Sequence, residues 1–492
     1  MLCKDCKFIP ILHCSINTSS LPSTVYFYMK KYIDLIEQTF EFPQKEFKVE
    51  DNKLFFHAVP LMDIIEKYGT PLKLTYLPKI GENIKYAKQL FNNAIKKHNY
   101  QGSYTYCYCT KSSHFSFVTE EALNHDIHIE TSSSFDIPIV RKLHQKGKIS
   151  KDTYVVCNGF KRDLYKQYIS DLLNDGFKNC IPVLDNLHEL SHYEENVKGQ
   201  YNVGIRIAAD EEPNFEFYTS RLGIRYGDIN TLYKDQIKPS KKAKLKLLHF
   251  FINTGIRDTA YYWSELSRFI FKYCELKKEC PELDTIDIGG GFPIKTSLHF
   301  EFDYKYIVEQ IVENIKWICG KNNVPVPNIF TEFGSFTVGE SGAVLYSIMD
   351  QKLQNDKELW YMIDGSFITH LPDAWGLNQK YILLPVNKWD DMFHKVNLGG
   401  LTCDSMDYYN SEAHTSDVFL PMMEQDPTEK LYIGLFHTGA YQESLGGYGG
   451  IQHCLIPAPK HVLIDRNSKG EIETRLFSEE QESSTMLKLL GY

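Results

Sequence analysis

From Leu72 onward, short runs of β-branched and aromatic residues alternate with longer stretches whose apolar positions recur every three or four residues. The short runs read as strands and the longer ones as amphipathic helices. Strands are predicted over 72–76, 104–109, 127–131, 154–157, 182–184, 201–207, 246–252, 285–288 and 328–332. Helices are predicted over 80–98, 115–125, 135–147, 161–174, 260–277 and 304–319. Roughly eight strands in about 260 residues of βα repetition is the length of a (β/α)8 TIM-like barrel. An open doubly wound sheet shows the same alternation.

Past Gly334 the rhythm changes. Apolar runs over 343–351, 359–363, 381–385, 431–435 and 461–464 follow one another without long helices between them. That pattern predicts a C-terminal antiparallel β domain. A hairpin predicted over 47–59 is expected to join it, followed by an amphipathic helix through Leu61, Ile64 and Ile65. The expected organisation is therefore fourfold. Residues 1–28 are an extension or a misassigned start, because a helical pattern (Tyr32, Leu35, Ile36, Phe40) begins only after Met29. Residues 29–75 carry the N-terminal helix and hairpin and pack with the β domain. The barrel takes 76–340 and the β domain 341–492.

Composition narrows the class. The chain has 492 residues, 43% hydrophobic and 24% charged, which is the balance of a soluble globule. Its length points to two domains. A net charge of −9 without a basic stripe argues against nucleic acid as a partner. No run approaches the roughly 18 apolar residues that span a bilayer, so no membrane partner is expected. The twelve cysteines show no repeating zinc spacing, and we read them as reduced thiols of a cytoplasmic protein. Cys3 and Cys6 form an isolated C-x-x-C without a second ligand pair, so no metal site is assigned.

Lys111 ends the strand run Tyr104-Thr105-Tyr106-Cys107-Tyr108-Cys109. An ammonium at a strand end, before a polar turn, lies at the carboxyl edge of a sheet or barrel. Burial there lowers a lysine pKa and frees the amine to form a Schiff base; a solvated strand cap is the other reading. Asp287-Ile288-Gly289-Gly290-Gly291 follows a strand, and three bare glycines expose backbone N–H groups suited to a phosphate. The run lacks both the P-loop lysine and the dinucleotide spacing, which favours a smaller phosphorylated cofactor over a nucleotide. Glu332 ends the strand Ile329-Phe330-Thr331 and can hydrogen-bond a pyridinium nitrogen, or simply meet solvent. Cys403 beside Asp404 could pair an acid/base thiol with a cation-binding carboxylate; a buried cysteine beside a surface acid is the alternative. Tyr441, after Thr438-Gly439-Ala440, can donate to a phosphate or pack.

Taken in order, these fragments resemble the alanine-racemase-like, fold type III group of pyridoxal-phosphate decarboxylases, over about residues 45–465. Val156-Cys157-Asn158-Gly159-Phe160-Lys161, Leu371-Pro372-Asp373-Ala374-Trp375-Gly376 and Thr402-Cys403-Asp404-Ser405 are most similar to the biosynthetic arginine decarboxylases, in a short bacterial form. The resemblance implies conversion of L-arginine to agmatine and CO2 in polyamine biosynthesis. Relatives acting on ornithine, lysine or diaminopimelate share the pattern, and a catalytically silent homologue would be expected to lose Lys111 or Cys403.

Position by position, the resemblance implies that Lys111 binds the cofactor aldehyde and Glu130 lies near the pyridine ring and its phenolic oxygen. Gly289, Gly290 and Gly291 hold the phosphate, with Tyr441 touching it, and Glu332 pairs with the ring nitrogen. Cys403 returns a proton to the product carbanion. Asp404 contacts the distal cation of the substrate, and Asp373 joins it because a guanidinium fork suits bidentate acceptors. The Cys-Asp loop is expected to reach a neighbour's barrel mouth, in a homodimer or higher oligomer. Mg2+ enters only because some members of the group use it. The chain departs from the family pattern in His249-Phe250-Phe251-Ile252-Asn253-Thr254. Phe251 takes the place of the ring-stacking histidine and Thr254 that of a phosphate-binding serine. Ser335 replaces a phosphate-binding arginine, and the helical insertions of the longer enzymes are missing.

Overall fold

The computed structural model describes residues 30–35, 42–210, 216, 218–413, 415–423 and 429–492. The readings of residues 1–28, of Cys3 and Cys6, and of Ile36 and Phe40 lie outside the described residues.

Eight strands form a closed parallel barrel: Tyr104–Cys109, His128–Thr131, Val155–Cys157, Cys180–Leu184, Tyr201–Arg206, Ala243–His249, Thr285–Asp287 and Asn328–Phe333. Each pairs with the next in sequence, and the last returns to the first, with Glu332 opposite Cys107. Most strand residues are buried because both faces are covered, one by the barrel lumen and one by helices. Cys107, Val156, Ile181, Val183, Leu247 and Phe330 fill the lumen, so it is a packed core and not a pore. Outside, Ile84 and Phe91 of the helix Pro78–Lys97, Leu266 and Phe269 of Ala260–Lys277, and Ile311 and Ile315 of Tyr304–Lys321 cover the strands. The last two helices start where a side chain can satisfy a first-turn donor. Thr259 Oγ1 accepts from Tyr262 N at 3.1 Å, and Asp303 Oδ1 from Tyr306 N at 2.9 Å.

Leu72–Tyr76, read from the sequence as the first strand of the alternation, is not in the barrel. It lies between Gly342–Gln354, antiparallel, and Lys460–Arg466, parallel. All five of its residues are buried, as in a barrel strand, so periodicity could not separate the two destinations.

The second domain is a sheet of mixed direction, which corrects the antiparallel expectation: Glu358–Ile363 runs parallel to Phe393–Gly399, and Leu72–Tyr76 parallel to Lys460–Arg466. The 13-residue strand Gly342–Gln354 is its spine. Alternate side chains serve opposite faces. Ala343 and Leu345 join Leu72, Leu74, Phe436 and Val462 in one core. Val344, Tyr346 and Ile348 join Tyr361, Leu398 and Leu435 in the other. The sequence reading missed Phe393–Gly399, Tyr408–Tyr409, Val418–Pro421 and Ile472–Ser478. The first and last of these are interrupted by consecutive polar residues (His394-Lys395 and Glu473-Thr474-Arg475) and so form no long apolar run.

The N-terminal hairpin is a three-stranded sheet of its own (Phe47–Glu50, Lys53–Phe56, Val59–Pro60). It attaches to the second domain by packing: the Phe47 and Phe56 rings each sit 4.9 Å from Phe436, and Leu54 N donates to Val386 O at 2.8 Å. Among the described residues, no helix is long and apolar enough to cross a membrane.

Leu247 is fully buried inside the barrel. Leu247→Ala is expected to destabilise the protein by about 2–5 kcal/mol, through lost burial plus a cavity that the closed barrel cannot collapse. The shift of the urea midpoint measures it.

Candidate active site

A parallel barrel turns all of its strand ends in one direction, so residues that close each strand meet at one rim. Here that rim carries three buried acids, Glu130, Asp287 and Glu332. Lys111 sits in the single turn Thr110–Ser112 that follows the first barrel strand. Its Nζ lies 3.4 Å from Oε2 of Glu130, which is fully buried at the end of the second. Asn158 follows the third strand and bridges two acids: Nδ2 donates to Glu130 Oε1 at 3.1 Å and to Glu332 Oε1 at 2.6 Å. Glu332, in the last strand, is completed by His249, whose Nε2 lies 3.1 Å from Oε2 at the end of the sixth. Asp287 closes the seventh strand and accepts from Gly289 N at 2.8 Å. Arg206 ends the fifth strand, where the charges of Asp185, Glu332 and Glu130 act on it.

The electrostatics separate these groups. Burial raises the Glu332 carboxyl, but His249 overrides it and brings the pKa down to about 2. Burial raises Glu130 and Lys111 lowers it, with Glu332 adding repulsion; the net direction is up. Burial and the neighbouring Glu332 push the Asp287 carboxyl well up. At Lys111 burial acts downward, yet Glu130, Cys109 and Glu332 outweigh it and the pKa rises. This corrects the expectation that burial frees the amine. The Lys111 side chain keeps 44% exposure and a fully buried carboxylate lies beside it, so the charged form is favoured.

The triple-glycine turn wedges between two neighbours. A Cβ on Gly290 would run into the Glu332 carbonyl oxygen, and one on Gly291 into Gly255. Gly289 and Gly291 adopt positive φ, 68° and 97°. Glu332 N donates to Gly289 O at 2.8 Å, and Ile256 N to Gly291 O at 3.0 Å, pinning the turn. Thr254, one residue before Gly255, has a buried hydroxyl without a protein partner. A buried unpaired hydroxyl costs about 1–3 kcal/mol, so its position beside bare backbone suits an acceptor-rich group such as a phosphate. Phe251 is exposed beside Gly289, where its ring can cover an aromatic ligand.

The sheet domain supplies Tyr441, the cap of the short helix Gln442–Gly446. Its N donates to Ser112 O at 2.8 Å, next to Lys111. Its φ of 68° is strained for a non-glycine residue. Its hydroxyl bonds the Ser335 side chain, and burial pushes its pKa up to about 12. Ser335 therefore does not leave the position empty; it orients the tyrosine. Asp373 accepts from Gln442 Nε2 at 2.8 Å, one residue from Tyr441, which ties the Asp373 turn to the same rim.

Cys403 and Asp404 lie elsewhere. Their loop is held by Asp407, which accepts from Thr402 N at 3.0 Å and from Phe367 N at 2.8 Å. Asp404 Oδ1 accepts from Met406 N at 2.8 Å. Cys403 is exposed, and its Sγ is 3.4 Å from that of Cys454. The reading of a buried structural cysteine does not hold, because the Cys403 thiol is exposed.

Sequence reasoning named Asn158 and Asp287 only as parts of motifs, and gave Arg206 and His249 no role. The available signal was positional, since each ends or follows a barrel strand at the rim where Lys111 and Glu332 were already placed.

The family profile described as "Pyridoxal-dependent decarboxylase, pyridoxal binding domain" matches residues 84–339. A biosynthetic arginine decarboxylase of Prochlorococcus marinus (strain MIT 9215) is 22% identical over 86% of this chain and 83% of its own. Among solved structures, the biosynthetic arginine decarboxylase of Campylobacter jejuni matches with a TM-score of 0.76 at 19% identity, covering 91% of this chain and 89% of that one. A diaminopimelate decarboxylase from M. jannaschii matches with a TM-score of 0.75 at 18% identity, covering 90% and 97%.

Since His249 holds Glu332 ionised, the pair contributes stability that is fully present above the ordinary carboxyl pKa of 4.5 and fades as pH falls toward about 2. In the cofactor-free protein, His249→Gln should therefore be less stable than wild type at neutral pH. That gap should narrow across this acid window, as followed by denaturant unfolding at stepped pH.

Proposed function

Because the chain belongs to the pyridoxal-dependent decarboxylases, we propose that it converts L-arginine to agmatine and CO2, a step of polyamine formation in the cytoplasm, as a homodimer with shared sites. The observation that carries the chemistry is the Lys111–Glu130 pair beside the glycine turn and the Glu332–His249 pair, all on one barrel rim. The substrate rests on relatives that carry the name biosynthetic arginine decarboxylase over most of this chain. Fold does not choose between substrates, since an arginine and a diaminopimelate decarboxylase match almost equally well. Decarboxylation of diaminopimelate, ornithine or lysine is therefore the second reading.

In this proposal Lys111 holds the cofactor through Nζ. Gly289, Gly290, Gly291, Thr254 and Tyr441 hold its phosphate. Glu130 stands near its phenolic oxygen, Phe251 covers a ring face, and Glu332 meets its ring nitrogen. When bound, pyridoxal phosphate supplies an electron sink for the pair left on Cα as CO2 departs. Glu332 is ionised by His249 and so keeps a proton on the nitrogen opposite it. Lys111 must shed a proton before its amine can react, and Glu130 Oε2, 3.4 Å away with a raised pKa, is placed to take it. Asp373 and the partner subunit's Asp404 would accept N–H bonds from the guanidinium, whose planar fork favours two acceptors. The partner subunit's Cys403, exposed in the single chain, would return the proton to Cα.

The test is CO2 release from arginine, ornithine, lysine and diaminopimelate by the purified yellow protein. Arginine should give the highest kcat/KM; preference for another substrate overturns the substrate assignment alone. Lys111→Ala should remove both the yellow absorbance and turnover. Cys403→Ala should lower kcat by about 10²–10⁴ while leaving the absorbance intact, as expected for loss of a general acid.

A further inference from the structure

Cys403, His453 and Cys454 come from loops fifty residues apart, and nothing in their spacing announces a common purpose. One ligand atom from each lies within 4.8 Å of the other two. The two sulfurs are 3.4 Å apart and unbonded. A disulfide needs about 2.05 Å. Two thiolates on one tetrahedral zinc, with bonds of about 2.3 Å, stand about 3.8 Å apart. The pair is therefore much nearer the separation of ligands to a shared ion than that of a bonded pair. We propose that Cys403, His453 and Cys454 form a binding site for a zinc-class divalent cation, on ligands distinct from those proposed to hold the cofactor.

The supports for the three ligands differ. Asp407 fixes the Cys403 loop through Thr402, and Gly400 N donates to Asp407 O at 2.8 Å. His453 and Cys454 lie in the single turn His453–Leu455, entered from the buried Gln452. Within it, Cys454 and Leu455 both adopt positive φ, 53° and 54°. Two consecutive non-glycine residues in that region cost roughly 1–2 kcal/mol each. This conformation brings the Cys454 sulfur to Cys403. All three ligands are exposed in the single chain. Two thiolates and an imidazole suit zinc, cobalt or cadmium and not the oxygen-seeking Mg2+. Three protein ligands leave a fourth position for water or another donor.

Binding follows a simple balance. Two thiols release two protons, and the cation takes two thiolates and one neutral imidazole nitrogen, with no change in oxidation state. One consequence rests on the proton-donor role proposed for Cys403. A thiolate bound to a metal has no proton to return to Cα, so occupancy switches turnover off, and removing the ion restores it.

The probe is Co2+ added to the reduced, anaerobic full-length holoenzyme, with the cofactor absorbance subtracted. The wild type should bind one equivalent and show tetrahedral d–d bands together with a sulfur-to-cobalt charge-transfer band, both erased by Zn2+. Cys454→Ser and His453→Ala should weaken binding by at least about tenfold, since losing even an outer-shell partner costs about 10–100-fold. Both variants should remain yellow and active, and Zn2+ should inhibit the wild type but spare Cys454→Ser, with a chelator reversing the inhibition. No thiolate–cobalt band in a protein whose exposed thiols still titrate would overturn the site. So would a Cys403–Cys454 disulfide forming under mild oxidation in a protein that binds no Co2+. Co2+ binding with turnover unaffected by Zn2+ would uphold the site and remove Cys403 from the reaction.

Discussion

One amide nitrogen stands between two buried acids, and the chemistry of the rim depends on that arrangement. Asn158 gives one N–H to Glu130 and the other to Glu332, so neither carboxylate needs the other's counter-ion. Lys111 then serves Glu130 and His249 serves Glu332. Two anions buried this close would otherwise force one of them to take a proton. Burial and Glu332 also push up the carboxyl of Asp287, the third acid. The result is a graded set in one small volume: an ionised acid, a more basic acid next to an ammonium, and a third raised acid fixing the glycine turn.

The barrel alone carries this charge pattern, but the site is finished from outside. The second domain brings Tyr441 against Ser112, and Gln442 links that tyrosine to the Asp373 turn. Ser335, which belongs to the barrel's end, meets the tyrosine hydroxyl. Where related chains are expected to use an arginine, this one has a shorter side chain that can only orient a neighbour. The phosphate cradle assigned here therefore relies on backbone N–H groups, Thr254 and Tyr441 more than on cationic side chains.

Much of this could be read from the sequence because strand ends are visible in it. Lys111, Glu332 and the three glycines each follow an apolar run, and in a closed parallel barrel that position alone places them at the same rim. Glu130 was placed by family resemblance, and the register opposite Cys109 accounts for it. Other features were hidden for physical reasons. Leu72–Tyr76 is buried on both faces, so its pattern fits either domain. Ile472–Ser478 is broken by Glu473-Thr474-Arg475 and shows no long apolar run to find. The direction of the Lys111 shift depends on a carboxylate nineteen residues away, which burial arguments made one residue at a time cannot include. The meeting of Cys403 with Cys454 depends on a left-handed turn that no residue there advertises, since neither Cys454 nor Leu455 is a glycine.

The placement of Leu72–Tyr76 also sets an order of events during synthesis. This early segment leaves the ribosome before the barrel is made, but its two neighbours are Gly342–Gln354 and Lys460–Arg466. Every barrel strand is therefore available before the apolar edge of residue 72–76 finds its first partner. Its second partner comes only within the last few dozen residues of the chain. Until then the nascent protein carries an uncovered strand of the kind that recruits other chains. A holding chaperone would have its clearest task on this segment, and the long separation between partners makes completion of the sheet, not closure of the barrel, the slow step of maturation.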